Sequence, residues 1–352
     1  MNFEASMRSI SFFFTGVLFI ILLCYSLYTY TEINSMKVSE SLSPVKTEAI
    51  IEDKSVIRNL ESHRKIHTNE DKIFFVESQN SVHHKLSGRQ ACSIESAALM
   101  NANATIFVIF LTPKDHVELE HTNLTDILLQ IKNVYFVYLN IKYFSKDTPL
   151  EDWIKTDELS NSKYVVSHTS DVLRYLLLYK YSGLYLDMDV ITTYPSAHIN
   201  LTNFACAESY KWINGAVLKL TGNSGRKMAE NLMLEVKKNF DGEIWGRNGP
   251  ELLSRTIKEL CDVSNFYSTT KCKNFTILER DKCYAISWEE WEMLFQSRDF
   301  NIARKRTRNS YFIHLWNHFS ASRNSYKSSN NALNRIAEEF CPKVYESLDI
   351  YF

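Results

Sequence analysis

Ser170–Val190 reads SDVLRYLLLYKYSGLYLDMDV. Its first part has the apolar spacing of an amphipathic helix, and Gly183 supplies the backbone freedom that ends it. Leu184, Tyr185 and Leu186 then read as a buried strand running into Asp187-Met188-Asp189. Asp171 and Arg174 stand three apart near the expected helix start, so both project toward one place. Alternation along the strand puts the carboxylates of Asp187 and Asp189 on one face. In an α/β sheet, ligands gather at the carboxyl ends of strands. Two carboxylates at the end of a buried strand are costly unless something cationic compensates them. A divalent metal carrying a nucleotide diphosphate does so, because hard cations take carboxylate and phosphate oxygens together.

On both sides of this stretch the chain has a β/α rhythm. Lys72–Val76, Ala104–Leu111 and Val134–Leu139 are expected strands, with helices over Gln90–Asn101 and Leu124–Lys132. Later come a strand at Asn214–Leu220, a helix from Ser224 to Phe240, and a helix over Glu251–Cys261 with Pro250 in its first turn. A last strand is expected at Tyr311–Trp316 and a last helix at Ala332–Phe340. Continuous apolar strands alternating with helices predict a mostly parallel sheet covered on both faces. No Gly-x-Gly-x-x-Gly or Walker A loop follows any strand, which argues against dinucleotide oxidoreductases and P-loop enzymes. A net charge of −1 over 352 residues argues against a nucleic-acid partner held by bulk electrostatics. The oligomeric state is not legible.

The N-terminus adds a topology. Residues 1–9 read as a cytosolic tail, residues 10–30 as an uncleaved transmembrane signal anchor, and residues 31–70 as a polar stem. Residues 71–352 form one α/β domain. Four N-x-S/T sequons follow the anchor, at Asn103, Asn123, Asn200 and Asn274. Six of the seven cysteines also lie beyond it, an even number that suits an oxidising lumen and allows fifteen pairings. Cys261 and Cys272, close in sequence across a polar loop, are expected to pair, with Cys92–Cys341 and Cys206–Cys283 completing the set.

The Asp-x-Asp unit matches the arrangement in nucleotide-sugar glycosyltransferases, and the whole segment resembles their SD-x-LR…GG-x-YLD-x-D signature. Ser182 departs from it, standing where a second glycine is usual. Further blocks follow in order: ACSIESAA (Ala91–Ala98), DTPLEDW (Asp147–Trp153), NGA (Asn214–Ala216), IWGRNGPELLSR (Ile244–Arg255) and HLWN (His314–Asn317). Together they closely resemble the lactosylceramide α1,4-galactosyltransferase family, which includes α1,4-N-acetylglucosaminyltransferases.

That resemblance implies a GT-A-like, Rossmann-type nucleotide-sugar-binding domain on a Golgi type II membrane enzyme. It implies transfer of galactose or a related hexose from a UDP-sugar, with retention, to the 4-hydroxyl of a terminal sugar. The acceptor expected is a glycosphingolipid ending in β-linked galactose or N-acetylgalactosamine. Mn²⁺ is the expected ion, though oxygen ligands alone also admit Mg²⁺. By the same resemblance Asp189 holds the metal, and Asp187 is shared between metal-bound water and sugar or ribose hydroxyls. Asp171 and Arg174 contact the donor sugar, and Arg174 also suits the diphosphate. Tyr185 reads as core or ligand. His314 and Trp316, on one strand face, close over the donor site, while His318 is left to the surface. Asn214-Gly215 and Asn248-Gly249 border the acceptor and donor pockets. Trp288 and Trp291, on SWEEWEML, read as stacking on sugar faces, as resting at the membrane, or as core packing of a short amphipathic helix. Two alternatives stand beside this reading: N-acetylglucosamine transfer onto glycoprotein O-glycans, and an inactive sugar-binding or chaperone-like relative. The intact Asp-x-Asp and SD-x-LR elements disfavour the second.

Overall fold

The apolar runs of the sequence stand side by side at the centre of one sheet. In the computed structural model, which describes residues 23–29, 31, 54, 56–266 and 269–352, the first strands are β1 (Arg58–Asn59), β2 (Lys72–Glu77), β3 (His83–His84), β4 (Thr105–Leu111), β5 (Glu118–Leu119) and β6 (Val134–Leu139). The rest are β7 (Gly183–Leu186), β8 (Val190–Thr192), β9 (Phe204–Ala207), β10 (Ile213–Leu220), β11 (Thr270–Cys272), β12 (Phe275–Leu278) and β13 (Phe312–His314). The longer helices are α1 (Gly88–Met100), α2 (Asn123–Gln130), α3 (Val165–Tyr181), α4 (Gly222–Asn239), α5 (Leu252–Cys261), α6 (Phe300–Thr307) and α7 (Ala332–Phe340).

Nine strands form the main sheet in the order β1-β6-β4-β2-β7-β10-β9-β12-β11. From β1 to β7 every pairing is parallel. Beyond β7 the sheet is mixed, because β10 runs antiparallel to both β7 and β9. The expectation of a mostly parallel sheet therefore holds for one half only. The reason is local: β9 and β10 are joined by Glu208–Trp212, a turn far too short for a parallel crossover.

Alternation explains why the central runs lack polar interruptions. Phe75, Val108 and Phe110 face one core with helix α1, while Phe74, Phe107 and Ile109 face the other with α3. Helix α3 is buried along most of its length, with Val172, Leu173, Leu176 and Leu177 fully enclosed. Each such side chain contributes about 1.5–3 kcal/mol by leaving water, and together they fix the axis on which Asp171 and Arg174 sit.

Disulfides join Cys92–Cys341, Cys206–Cys283 and Cys261–Cys272, the three pairs expected. All four sequon asparagines are exposed. The folded unit begins at Lys54, and Leu60 and Ile66 are buried, so the segment expected to be stem joins the domain well before residue 71. Residues 23–29 and 31 are helical, but most of the expected anchor and much of the stem lie outside the described residues. Among the described residues no helix is long and apolar enough to cross a membrane.

Candidate active site

Strand β7 stops at Leu186, one residue before the aspartates. The Asp187 N–H donates to Ala216 O on β10 (2.9 Å), and the Val190 N–H donates back to Asp187 O (3.1 Å). Asp187 and Asp189 therefore ride a tight turn into β8 rather than sharing a strand face as expected. Strand β8 pairs with β13, placing His314 opposite Val190. The His314 Nε2 thereby comes 3.2 Å from Asp189 Oδ1. The other Asp189 oxygen accepts the Asn317 N–H at 2.7 Å.

Asp187, Asp189 and His314 offer ligand atoms that all lie within 4.8 Å of one another. Two carboxylates and an imidazole in this spacing fit a divalent cation. Burial pushes the Asp189 carboxyl up, but the His314 imidazole beside it brings the net value below the ordinary one. Burial also works against the imidazolium, and Asp189 outweighs it, so the His314 pKa is raised. Each group thus favours the charged form of the other, and the buried Nδ1 of His314 has no protein partner. Trp316 does not share a strand with His314 as expected. It lies past the end of β13 with a left-handed backbone (φ 55°, ψ 49°), its ring 4.2 Å from that of His314.

Asp171 and Arg174 lie in the middle of α3, not at its start, because the helix begins at Val165. Arg174 Nη2 is 3.1 Å from Asp171 Oδ1 and 3.1 Å from Asp187 Oδ1. Its guanidinium lies 4.8 Å from the centre of the Tyr185 ring, and the Tyr185 hydroxyl bonds Ser170 Oγ at 2.7 Å. Burial opposes the charge on Arg174, but Asp187 and Asp171 outweigh it and hold the pKa well above the ordinary value. One cation between two carboxylates leaves Asp171 under-compensated. Burial pushes its carboxyl up to about 7, Arg174 pulling the other way and Asp187 adding to the rise.

Two glycines make this arrangement possible. A Cβ at Gly215 would collide with the Arg174 guanidinium, and one at Gly249 would stand 2.6 Å from an Asp171 oxygen. They seat the Asp-Arg pair instead of lining the cavity. Asn248, fully buried, likewise stands behind the wall, with its side chain tied to the Asp241 backbone. Pro250 falls in a π-helical turn ahead of α5.

The remaining expected residues, Asp171, Arg174, Tyr185, Asp187, Asp189, Asn214, His314 and Trp316, all line one cavity of about 500 Å³. Gln79 and Phe319 also line it and carried no sequence signal. So do Ser170 of the SD-x-LR element and Trp245 of the IWGRNGPELLSR block, which had no role assigned from sequence. His318 is exposed as expected, but it stacks on Trp245 with centroids 4.2 Å apart, at the rim. Arg89 was also missed. It is buried, bonds the Ser320 and Arg323 carbonyls and Asn317 Oδ1, and so holds the loop whose Asn317 N–H reaches Asp189.

The family models match in two adjoining parts. Residues 53–205 match the glycosyltransferase sugar-binding region containing the DXD motif, and residues 222–348 match the alpha 1,4-glycosyltransferase conserved region. The human lactosylceramide 4-alpha-galactosyltransferase is 27% identical over 280 residues, covering 79% of this chain and 78% of that protein. The human alpha-1,4-N-acetylglucosaminyltransferase is 28% identical over 268 residues, covering 73% and 75%. Among solved structures, the galactosyltransferase LgtC in complex with donor and acceptor sugar analogs is similar at 11% identity and a TM-score of 0.40, over 78% of this chain and 95% of that one. The DXD region and the α1,4 region lie in the order and over the residues that build the cavity, and the chain is a glycosyltransferase of the α1,4 type with a DXD region.

Proposed function

We propose that the chain is a metal-dependent, retaining transferase with a GT-A-like fold. It moves galactose or N-acetylgalactosamine from a UDP-sugar to the 4-hydroxyl of a terminal sugar on a glycosphingolipid. The observation that carries this reading is the convergence of Asp187, Asp189 and His314 beside the buried Arg174 at the carboxyl end of β7. An imidazole in the ligand set favours Mn²⁺ over Mg²⁺, which prefers oxygen ligands alone. A cation bound there supplies compensation for the charge that develops on the leaving diphosphate.

The chain's own residues position everything else. Arg174 clamps Asp187, and Asn317 and His314 orient Asp189. Asp171 and Tyr185 wall the cavity where the donor sugar lies. Same-face attack by the acceptor hydroxyl, with the departing phosphate taking its proton, needs no carboxylate nucleophile.

The named activities of the two human relatives support the α1,4 linkage, and the first supports a glycolipid acceptor. The near-equal identity of the second favours one rival, N-acetylglucosamine transfer to O-glycans. The apolar span at residues 10–30, the exposed sequons and the three disulfides support a single-pass type II protein of the Golgi membrane with a lumenal domain. The test is donor screening of the full chain in detergent with UDP-Gal, UDP-GalNAc, UDP-GlcNAc and UDP-Glc, against matched glycolipid and O-glycoprotein acceptors. Label on the glycolipid from UDP-Gal or UDP-GalNAc is expected. Label on protein O-glycans alone would establish the rival, and no release of UDP from any donor would end both.

A further inference from the structure

Apolar side chains gather around the mouth of the donor cavity and stay open to solvent. Val165 and Val166, at the start of α3, are 39% and 46% exposed, Ile244 is 49%, Trp288 42% and Phe319 37%. They come from four separate segments, yet contacts join each segment to another. The Lys163 N–H donates to Gly242 O at 3.0 Å, and Trp245 Nε1 donates to Ser167 Oγ at 3.3 Å, which joins the segment of Val165 and Val166 to that of Ile244. Trp245 in turn stacks on His318, with centroids 4.2 Å apart, and Phe319 stacks on Trp288 at 5.4 Å. Val166, Trp245 and Phe319 line the donor cavity itself. The second tryptophan of the SWEEWEML segment turns the other way, and Trp291 packs on Phe295 and the core.

Single exposed apolar side chains are ordinary, but a contiguous set marks a surface that another body covers. Charges of both signs stand around this one: Lys163, Arg247 and Arg323 with Glu243, Glu251 and Glu289, of which Arg247 and Glu251 pair at 3.2 Å. No field of one sign attracts an acidic or basic partner, whereas a zwitterionic surface with an apolar interior matches both features. Tryptophan in particular settles where lipid headgroups meet acyl chains. A protein seated on this rim would stop the mouth of the cavity, while a bilayer that receives the rim brings acceptor headgroups to it. Residues 31–53 join the apolar span of residues 10–30 to the folded unit at Lys54, and even fully extended they reach only about 80 Å. The span thus keeps the rim close to one bilayer.

We propose that this rim is a membrane-docking face: Val165, Val166, Ile244, Trp288 and Phe319 enter the headgroup–acyl boundary, and the donor cavity then opens onto the lipid surface. This rests on the membrane-bound glycolipid transferase reading above and adds to it how the folded unit meets an acceptor that stays in the bilayer. Insertion of apolar side chains is indifferent to salt, unlike attraction of a basic patch to anionic lipid. Trp288, which the sequence left open between three readings, is the membrane residue of its segment, and Trp291 is a core residue.

The chain's own fluorescence provides the test. All six tryptophans lie between Trp153 and Trp316 and the apolar span holds none, so quenching by lipid reports on the folded unit alone. The full chain is reconstituted in phosphatidylcholine nanodiscs with brominated acyl chains. Quenching is expected in the wild type at low and high salt alike, and it should fall at least about twofold in Trp288→Phe, which removes the one exposed tryptophan. With lactosylceramide in unbrominated discs and UDP-Gal as donor, the double variant Val165→Asp/Ile244→Asp should lower transfer at least about tenfold, because it sets two carboxylates at the lipid boundary. Its transfer to free lactose and its circular dichroism should match the wild type. Unquenched wild-type fluorescence, quenching that is lost at high salt or unchanged in Trp288→Phe, or a double variant in which both acceptors are affected equally would overturn the docking face. If neither acceptor is glycosylated by the wild type but the quenching is as stated, the transferase reading fails and the docking face stands.

Discussion

Asp189 concentrates the chemistry of the site in one side chain: one oxygen faces His314, the other accepts a backbone N–H, and burial excludes water. Asp189→Asn should abolish transfer while leaving the circular dichroism spectrum and Tm near wild type. The loss expected is several kcal/mol of transition-state stabilisation, as for other preorganised charges. Turnover within a few-fold of wild type would contradict the role. Asp171 makes a pH prediction. Its folded-state pKa, about 7, lies above the ordinary 3.8, so the folded protein holds a proton that the unfolded chain releases. Its contribution to stability is full below the ordinary value and is lost as pH rises through about 7. Metal-free Asp171→Asn should therefore lose less Tm than the wild type between pH 5 and 7 (a window on the order of the shift itself); parallel Tm curves would contradict this. Ser182 occupies φ 56°, ψ 160°, a region nearly reserved for glycine, and this is the signature's one departure. Ser182→Gly should relieve about 1 kcal/mol of strain and raise Tm by a few degrees, as thermal unfolding will show.

At the scale of elements, what was legible in the sequence follows from what is local. Strands β2, β4 and β6 are unbroken apolar runs because both their faces are buried, and such runs announce themselves. Strand β9 has the residues FACA and β11 only three residues, too short and too small-chained for any pattern. The turn holding Asp187 and Asp189 depends on a bond to β10, and His314 reaches Asp189 from 125 residues away through the β8–β13 pairing. No local period encodes such contacts. Gly215 and Gly249 were expected at the edges of the pockets, whereas the structure uses their missing side chains to seat Arg174 and Asp171. Gly215→Ala should accordingly displace the guanidinium and cut turnover by at least about a hundredfold, in line with the loss of an oriented charge. A steady-state assay giving near-normal kcat would show that the helix can yield.

For the whole molecule, the cysteines and the buried cations hold the two halves of the chain together around the site. Cys92–Cys341 ties α1 to the end of α7 across 249 residues, and Glu95 accepts the Lys343 and Val344 N–H groups beside it. Replacing both cysteines by serine should cost about 2–5 kcal/mol, read as a lower midpoint in denaturant. Arg89, on the same helix, carries that anchorage to the loop of Asn317. The DXD half and the α1,4 half are thus one device: the first supplies Asp187 and Asp189, and the second supplies His314 and the loop that orients Asp189. The most direct test is Mn²⁺ binding followed by electron paramagnetic resonance, with UDP present, in the wild type and in His314→Ala, alongside UDP release from the donor sugar with and without chelator. Tight, UDP-dependent Mn²⁺ binding that weakens at least about tenfold in the variant, with UDP release abolished by chelator and restored by Mn²⁺, is the predicted result. Unchanged Mn²⁺ affinity in the variant, or full turnover in chelator, would contradict the account.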